Sequence, residues 1–205
     1  MAQAKSGSDR QLSPEKTEAI LAGGMQEFLA HGYAATSMDR VAIAAKVSKA
    51  TVYSHFQDKE SLFTALIQQL VEQKFQSIFG AGDAQLMQKP PQVVLRHIAN
   101  HALDIGKNEP HFLNFMRLII GESGRFPQLA RAFVSNIEQA AFRKLCHYFT
   151  HCPHLNLSDP EATARIFIGA IVHFMIVQEM LHGKDILLME RDRIIDNLIQ
   201  MIVGD

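Results

Sequence analysis

The sequence predicts an all-α protein of about nine helices, an N-terminal three-helix helix-turn-helix domain followed by a helical bundle. Three observations predict it. Apolar residues recur at three- and four-residue spacing and nowhere alternate with period two over the length of a strand. No Asn-Gly or Asp-Gly hairpin turn occurs. The chain is punctuated by helix starts, Ser13-Pro14-Glu15 and Asp159-Pro160-Glu161 being the fullest: a capping side chain, Pro in the first turn, then an acid.

Residues 1–13 are polar and small and read as a mobile tail, with no apolar stretch that would make a secretory signal. The first helix carries Ile20, Leu21, Met25, Phe28 and Leu29 on one stripe and is expected to stop at His31-Gly32, glycine suiting a left-handed cap. Thr36 or Ser37 caps a short second helix with Met38, Val41, Ala42 and Ala45 inward. Lys46-Val47 forms a tight turn, and Ser48 caps a third short helix over residues 49–55, with Val52 and Phe56 inward. Asp58 caps a long helix whose stripe runs from Leu62 and Phe63 through Phe75 and Ile78 to an end near Gly80-Ala81-Gly82. Pro90-Pro91 and Pro110 open the fifth and sixth helices. Residues 121–124 break the chain, and a seventh helix runs over 127–150. Residues 151–157 form a loop, the eighth helix reaches about 181 with Gly183 beyond it, and a last helix spans 190–202.

The 205 residues suffice to bury a core without staples. With 47% apolar and 20% charged residues the chain is globular. Twenty Lys and Arg against 21 Asp and Glu exclude a polybasic binder, so any contact with nucleic acid must come from a local patch. Two cysteines, Cys146 and Cys152, make no disulfide framework. The longest apolar run, residues 166–177, is too short to span a bilayer and reads as a buried helix. No membrane association is expected, and the expected location is cytoplasmic.

Two short helices joined by a tight turn and packed on a longer one make a helix-turn-helix. The second exposes Lys49, Ala50, Thr51, Tyr53, Ser54 and His55. At 1.5 Å per residue it is roughly 10 Å long and fits a B-DNA major groove about 12 Å wide. Between residues 36 and 59, Arg40, Lys46, Lys49 and Lys59 outnumber Asp39 and Asp58 on a chain whose net charge is −1.

These residues strongly resemble the DNA-binding domain of the TetR/AcrR family of transcriptional regulators. The resemblance is carried by Gly32-Tyr33 and Thr36-Ser37, by Val47-Ser48-Lys49-Ala50-Thr51-Val52-Tyr53-Ser54-His55-Phe56, and by Lys59 with Leu62. It implies that Lys49 and Tyr53 face the groove, with Lys49 reading guanine O6 and N7, and that Ala50 touches a thymine methyl. Ser37, Arg40, Thr51, His55 and Lys59 would contact phosphates and set the register. The chain departs from the family at Lys46, where relatives often carry Gly and where Lys must adopt an unusual backbone. It departs again at Ala50, also often Gly.

The expected organisation is a tail (1–13), a helix-turn-helix domain (14–58), and a ligand-binding and dimerisation domain (59–205). The segment from Phe115 to Glu122 with Arg125-Phe126-Pro127 and Leu129 looks like a pattern of one branch of the family. The helix over 162–181 is apolar on nearly every face and must be buried all round. A partner subunit is the expected cover, through Ile166, Ala170, Ile171, Ile194 and Leu198 in a four-helix interface. The alternative is a central helix within one subunit. Phe112, Phe115, Met116, Ile119, Phe174 and Val177 recur at helical spacing and read singly as core. Together with His101 and His173 they are candidates for a pocket enclosing a small, mostly apolar effector, with Asn114 and Gln178 as further polar groups.

His97 and His101, and His147 and His151, stand at i,i+4, a spacing at which two rings share a metal, and Cys146, Cys152 and His154 lie near the second pair. No third ligand is placed by sequence, so no metal or cofactor is expected. No catalytic fingerprint occurs, and no enzyme is expected. The expected function is a homodimeric regulator, a repressor released from a pseudo-palindromic operator by its effector. Its rivals are a small helical metalloenzyme using the His/Cys cluster and a helical protein-binding adaptor. The adaptor would need apolar anchors on the outer face of residues 49–55, where there are none.

Overall fold

Capping side chains and prolines start most of the helices. In the computed structural model, which describes residues 13–79, 86–108 and 110–204 and only the backbone of residues 71–79, 106, 137, 138 and 140, the Ser13 hydroxyl accepts the Lys16 amide ahead of α1 (Pro14–Ala35). Residues 1–12 of the expected tail and the helix end at Gly80-Ala81-Gly82 lie outside the described residues, as do the side chains of Phe75 and Ile78, while Ser13 is the cap of α1. Gly32 interrupts α1 with φ 77° and ψ 167°, so the expected stop is present as a break, and a last turn follows it. Ser37 caps α2 (Met38–Ala44) and Ser48 caps α3 (Lys49–His55). Asp58 and Ser61 exchange two side chain–backbone hydrogen bonds, 2.7 and 3.1 Å, at the start of α4 (Lys59–Phe79).

After α4 come α5 (Pro91–Asn108), α6 (Pro110–Glu122) and α7 (Pro127–Phe133). A π turn (Val134–Glu138) joins α7 to α8 (Gln139–His151). Asp159 caps α9 (Pro160–Met175), which a second π turn (Ile176–Met180) extends. A 3₁₀ turn (Gly183–Asp185) and α10 (Arg191–Val203) complete the chain. No strand occurs among the described residues. The seventh and eighth helices expected from periodicity are thus continuous but carry one π turn each.

The chain forms two compact units, Met1–Leu66 and Ile67–Asp205, and the division falls inside α4. In the first, Phe28, Tyr33 and Phe63 pack ring against ring at 5.1–5.6 Å, with Ile20, Val41, Val52 and Leu62 buried around them. Gly23 permits the close approach of α1 to the end of α2: a Cβ there would lie 2.7 Å from the Ala45 amide nitrogen. In the second, α5, α8, α9 and α10 contribute one core that includes Leu95, Ile98, Phe149, Phe167, Ile171, Ile195 and Leu198.

This core corrects the reading of α9. Ile171 and Leu198, expected across a subunit interface, are 4% and 5% exposed within their own subunit and have no surface to offer a partner. Ala170 and Ile194 are half-buried against the same core. Ile166 differs: it is 58% exposed, on the outer face with Gly169 and His173. The helix is therefore not buried all round in the subunit. Residues Pro160–Met180 are long and apolar enough to cross a membrane by length and composition, yet Ala164, Phe167 and Ile171 pack into this core.

Candidate nucleic-acid interface

The N-terminal unit sets two seven-residue helices on α1, and the turn between them rests on one strained residue. Lys46 adopts φ 55°, the left-handed conformation that its place in the turn demands. Its amide donates to the Ile43 carbonyl and the Val47 amide to the Ala42 carbonyl, which closes the turn. Helices this short do not persist alone in water. Met38, Val41, Ala42 and Val52 anchor them to the core.

On α3, Lys49, Ala50, Tyr53 and Ser54 are exposed, and Thr51 and His55 are half-buried. Lys49 and Tyr53 form one exposed pair, the ammonium 5.9 Å from the ring centre. The Lys49 ammonium is also held by Asp39 of α2, at 2.7 Å from Oδ1 and 2.9 Å from Oδ2. That hydrogen bond raises the Lys49 pKa above its ordinary value, so the side chain is a cation at any physiological pH. In the sequence Asp39 reads only as local negative charge. Its signal was its place in the first turn of the helix that precedes the reading helix.

The residues expected on phosphates take varied positions. Ser37 is exposed and accepts the Arg40 amide at 3.3 Å as the α2 cap. Arg40 is exposed, its Nε 3.9 Å from Glu27 Oε2. Glu27 Oε2 is buried without a hydrogen bond and lies 3.7 Å from His31 Nε2. The Thr51 hydroxyl is engaged with that of Ser48 at 2.8 Å. His55 Nδ1 lies 2.9 Å from the Thr17 hydroxyl and so ties α3 to α1.

Lys59 departs most from its expected employment. Its ammonium donates to the carbonyls of Tyr33 (2.6 Å), Ala34 (3.2 Å) and Thr36 (3.0 Å) and lies 4.4 Å from the centre of the Tyr33 ring. A cation at the carbonyl end of a helix satisfies groups that the helix leaves unpaired. Lys59 is thereby a strap across the end of α1, its protons committed within the unit. Burial, followed by the nearby charges of Glu60 and Asp58, pushes the Tyr33 hydroxyl up to about 12.

With this geometry in view, the comparisons with known proteins are specific. The pattern of the tetR family of bacterial regulatory proteins matches residues 20–66. The pattern of the AefR-like transcriptional repressor C-terminal domain matches residues 93–204, more than half of the chain. The chain belongs to the TetR family. The flavonoid-responsive regulator FrrA is similar over 92% of this chain and 95% of its own, at 29% identity and a TM-score of 0.73. A TetR-family transcriptional regulator from Mesorhizobium loti shares the fold over 92% and 96% of the two chains, at 22% identity and a TM-score of 0.72. The HTH-type transcriptional regulator YhgD of Bacillus subtilis (strain 168) is 37% identical over 62 residues, 30% of this chain. That match spans 32% of YhgD. The TetR-family fold and the exposed α3 make this chain a DNA-binding transcriptional regulator of repressor type.

In the C-terminal unit the expected pocket residues do not share one environment. Phe115 and Ile119 are closed off at 1% and 2% exposure. Phe112, Met116 and Val177 are half-buried, Phe174 packs on the core, and His173 is exposed. His101 lines a shallow cavity of about 560 Å³ with His97, Asn100, Asp104 and Arg191. There Arg191 donates to Asp104 (2.6 Å) and Asn100 (2.9 Å), and this hydrogen bond holds the Asp104 carboxyl below its ordinary range. A second cavity, about 710 Å³, lies among Val134, Phe142, Arg143, Arg165, Ile168 and Gly169. Gln178 is buried and donates to the Leu187 carbonyl, and Asn114 accepts from Arg117. Arg117 donates on to the Glu179 and Met180 carbonyls, joining α6 to the second π turn.

The paired histidines do stack, His97 on His101 at 4.3 Å and His147 on His151 at 4.1 Å between ring centres. Among the described residues no third His, Cys, Asp or Glu joins either pair in a metal-holding group. Cys146 and Cys152 are free thiols.

Proposed function

We propose that this regulator is a cytoplasmic homodimer that represses from a pseudo-palindromic operator and is released by a small, mostly apolar effector. The observation that carries the reading is the exposed outer face of α3. It presents Lys49, Ala50 and Tyr53 on a helix fixed at both ends, by the Ser48 cap and by the His55–Thr17 hydrogen bond. Lys49 reads a guanine edge, Ala50 and Tyr53 contact neighbouring bases, and Ser37, Arg40, Thr51 and His55 hold the backbone. The division between Leu66 and Ile67, inside α4 and beyond the residue 58 expected from the sequence, separates this reading head from the effector and dimer region.

Selection of bound duplexes from a random pool tests the reading head. The expected product is an inverted repeat, one half-site per subunit. Lys49→Ala should cost about 1–3 kcal/mol on that duplex and relax one base pair per half-site. Recovery of the unchanged sequence would remove Lys49 as a base reader. Sedimentation at micromolar concentration tests the dimer, which a monomeric species would refute.

The effector region is α5 to α9 with the candidates His101, Phe112, Phe115, Met116, Ile119, His173, Phe174 and Val177. FrrA is named as flavonoid-responsive, which makes flavonoids the first class to titrate. Coupling is reciprocal, so a ligand that weakens operator binding must itself bind more weakly to the operator complex, typically by about 1–3 kcal/mol. Equal calorimetric affinity with and without the operator would exclude release by that ligand.

A further inference from the structure

Asp39 and Lys49 face each other across the two short helices of the reading head. The carboxylate spans the ammonium with both oxygens, 2.7 and 2.9 Å away. Their side chains are 57% and 60% exposed, so the pair contributes little to folding. It stands instead on the surface that meets DNA. A carboxylate there also sits against phosphates, which it repels. Both facts run against simple affinity for a polyanion, and a Lys49 that reads a base edge has first to leave Asp39.

We propose that Asp39 is a specificity-setting residue of the reading face, holding Lys49 until a base edge replaces it. This rests on the reading of Lys49 as a base reader. A guanine offers the ammonium two acceptors, O6 and N7, in the plane of the base pair. They match the two carboxylate oxygens that the lysine gives up. Non-operator DNA offers the same ammonium a phosphate oxygen, at the loss of the carboxylate and with that carboxylate left facing the backbone. Exchanging the charged carboxylate for neutral acceptors costs affinity on every duplex, and costs least where one guanine replaces both carboxylate oxygens at once. Discrimination is therefore raised by weakening the wrong complexes, a form of selectivity that attractive contacts alone do not supply.

The test uses the full-length protein, the duplex that the wild type recovers from a random pool, and a scrambled duplex of equal length and composition, all at one salt concentration. Asp39→Asn keeps the shape and removes the charge. The expected result is a fall of about three- to fivefold in the ratio of selected to scrambled affinity, the size that an exposed ion pair supports. It should come mainly from tighter binding of the scrambled duplex. Selection with Asp39→Asn should relax the base pair that Lys49→Ala relaxes. In a Lys49→Ala background, Asp39→Asn should tighten both duplexes alike and leave the ratio unchanged, because no lysine remains to be held. An unchanged ratio in the single variant overturns the proposal. A ratio that falls equally in both backgrounds overturns it too, since the carboxylate would then act without Lys49. If Lys49→Ala alone still selects the wild-type sequence, the base-reader reading has failed first, and the two failures are told apart. Thermal unfolding of Asp39→Asn should match the wild type, which separates this role from a structural one.

Discussion

The two units of this regulator use their polar residues differently. In Met1–Leu66 the polar side chains that the sequence singles out tie the reading helix and its neighbours together: Lys49 to Asp39, Thr51 to Ser48 and His55 to Thr17, with Lys59 on the carbonyls at the end of α1. In Ile67–Asp205 polar side chains join helices of the bundle instead: Arg191 of α10 donates to Asp104 and Asn100 of α5. Arg117 holds the second π turn and Gln178 holds Leu187. The first unit has a surface prepared for a partner of fixed chemistry, a duplex. The second has a packed core with shallow cavities on it, one of them lined by His97, His101, Asn100, Asp104 and Arg191. A reading head can be recognised without its DNA because DNA imposes the residue types. An effector region cannot be recognised in the same way, because apolar residues that line a pocket and those that fill a core are the same residues.

The largest effect that would sharpen this contrast is expected at Ile171. Ile171→Asp places a carboxylate in the C-terminal core and should destabilise that unit by several kcal/mol, whereas Ile166→Asp, on the exposed face of the same helix, should leave the melting of the subunit nearly unchanged. Sedimentation and thermal unfolding of the two variants decide the matter. Equal loss of folding in both would mean that α9 is buried on both faces. Next comes Gly23→Val, which forces side-chain atoms against the backbone of Ala45 and should cost about 3 kcal/mol, the upper part of the range for overpacking. Operator binding should fall with it, while ligand titrations that report on the C-terminal unit remain. Lys59→Met removes three charged hydrogen bonds on carbonyls and should cost about 1.5 kcal/mol. It should leave the salt dependence of DNA binding unchanged. A salt slope lower by about one unit per subunit would return Lys59 to the phosphates.

The smallest expected effect is at Asp104. Its carboxyl is held down chiefly by the Arg191 hydrogen bond, so its contribution to stability is present above the unfolded-state carboxylate pKa of about 3.9 and is lost as the pH falls through the lower folded value. The pair is partly exposed, and the contribution is expected within about 1 kcal/mol. Asp104→Asn should therefore lower the melting temperature slightly at pH 7 and not at all well below pH 3. A difference that persists at the lowest pH would show that the loss comes from packing.

The caps are where sequence and structure agree in detail. Ser13, Ser37, Ser48 and Asp159 each accept the expected amide, because a cap is a local bond within three residues and needs no knowledge of the rest of the chain. Lys46 was legible through the resemblance, since relatives often carry Gly at that place in the turn, and its φ of 55° is the conformation glycine favours. His182, with φ 56°, was not, because it follows a π turn that periodicity does not reveal. Lys59 reads in sequence as a free cation, and only the tertiary approach of α4 to the end of α1 shows where it is spent. Ile171 and Ile166 are five residues apart in one apolar run, and hydropathy cannot say which of them faces inward.

The two π turns have a consequence for how this chain is compared with its relatives. A π turn is an α-helical turn that holds one additional residue, so the side chains beyond it are rotated by roughly 100° relative to an uninterrupted helix of the same length, from 3.6 residues per turn. Past Val134–Glu138 the buried positions are Leu145, Tyr148 and Phe149, and past Ile176–Met180 the chain enters the turn at His182. A homologue without such a turn would align only through a single-residue gap in mid-helix, where gaps are ordinarily refused. Residue equivalences carried across these points from a relative of that kind would be displaced by one position, and an inherited assignment of a ligand contact on α8 would land on the wrong face.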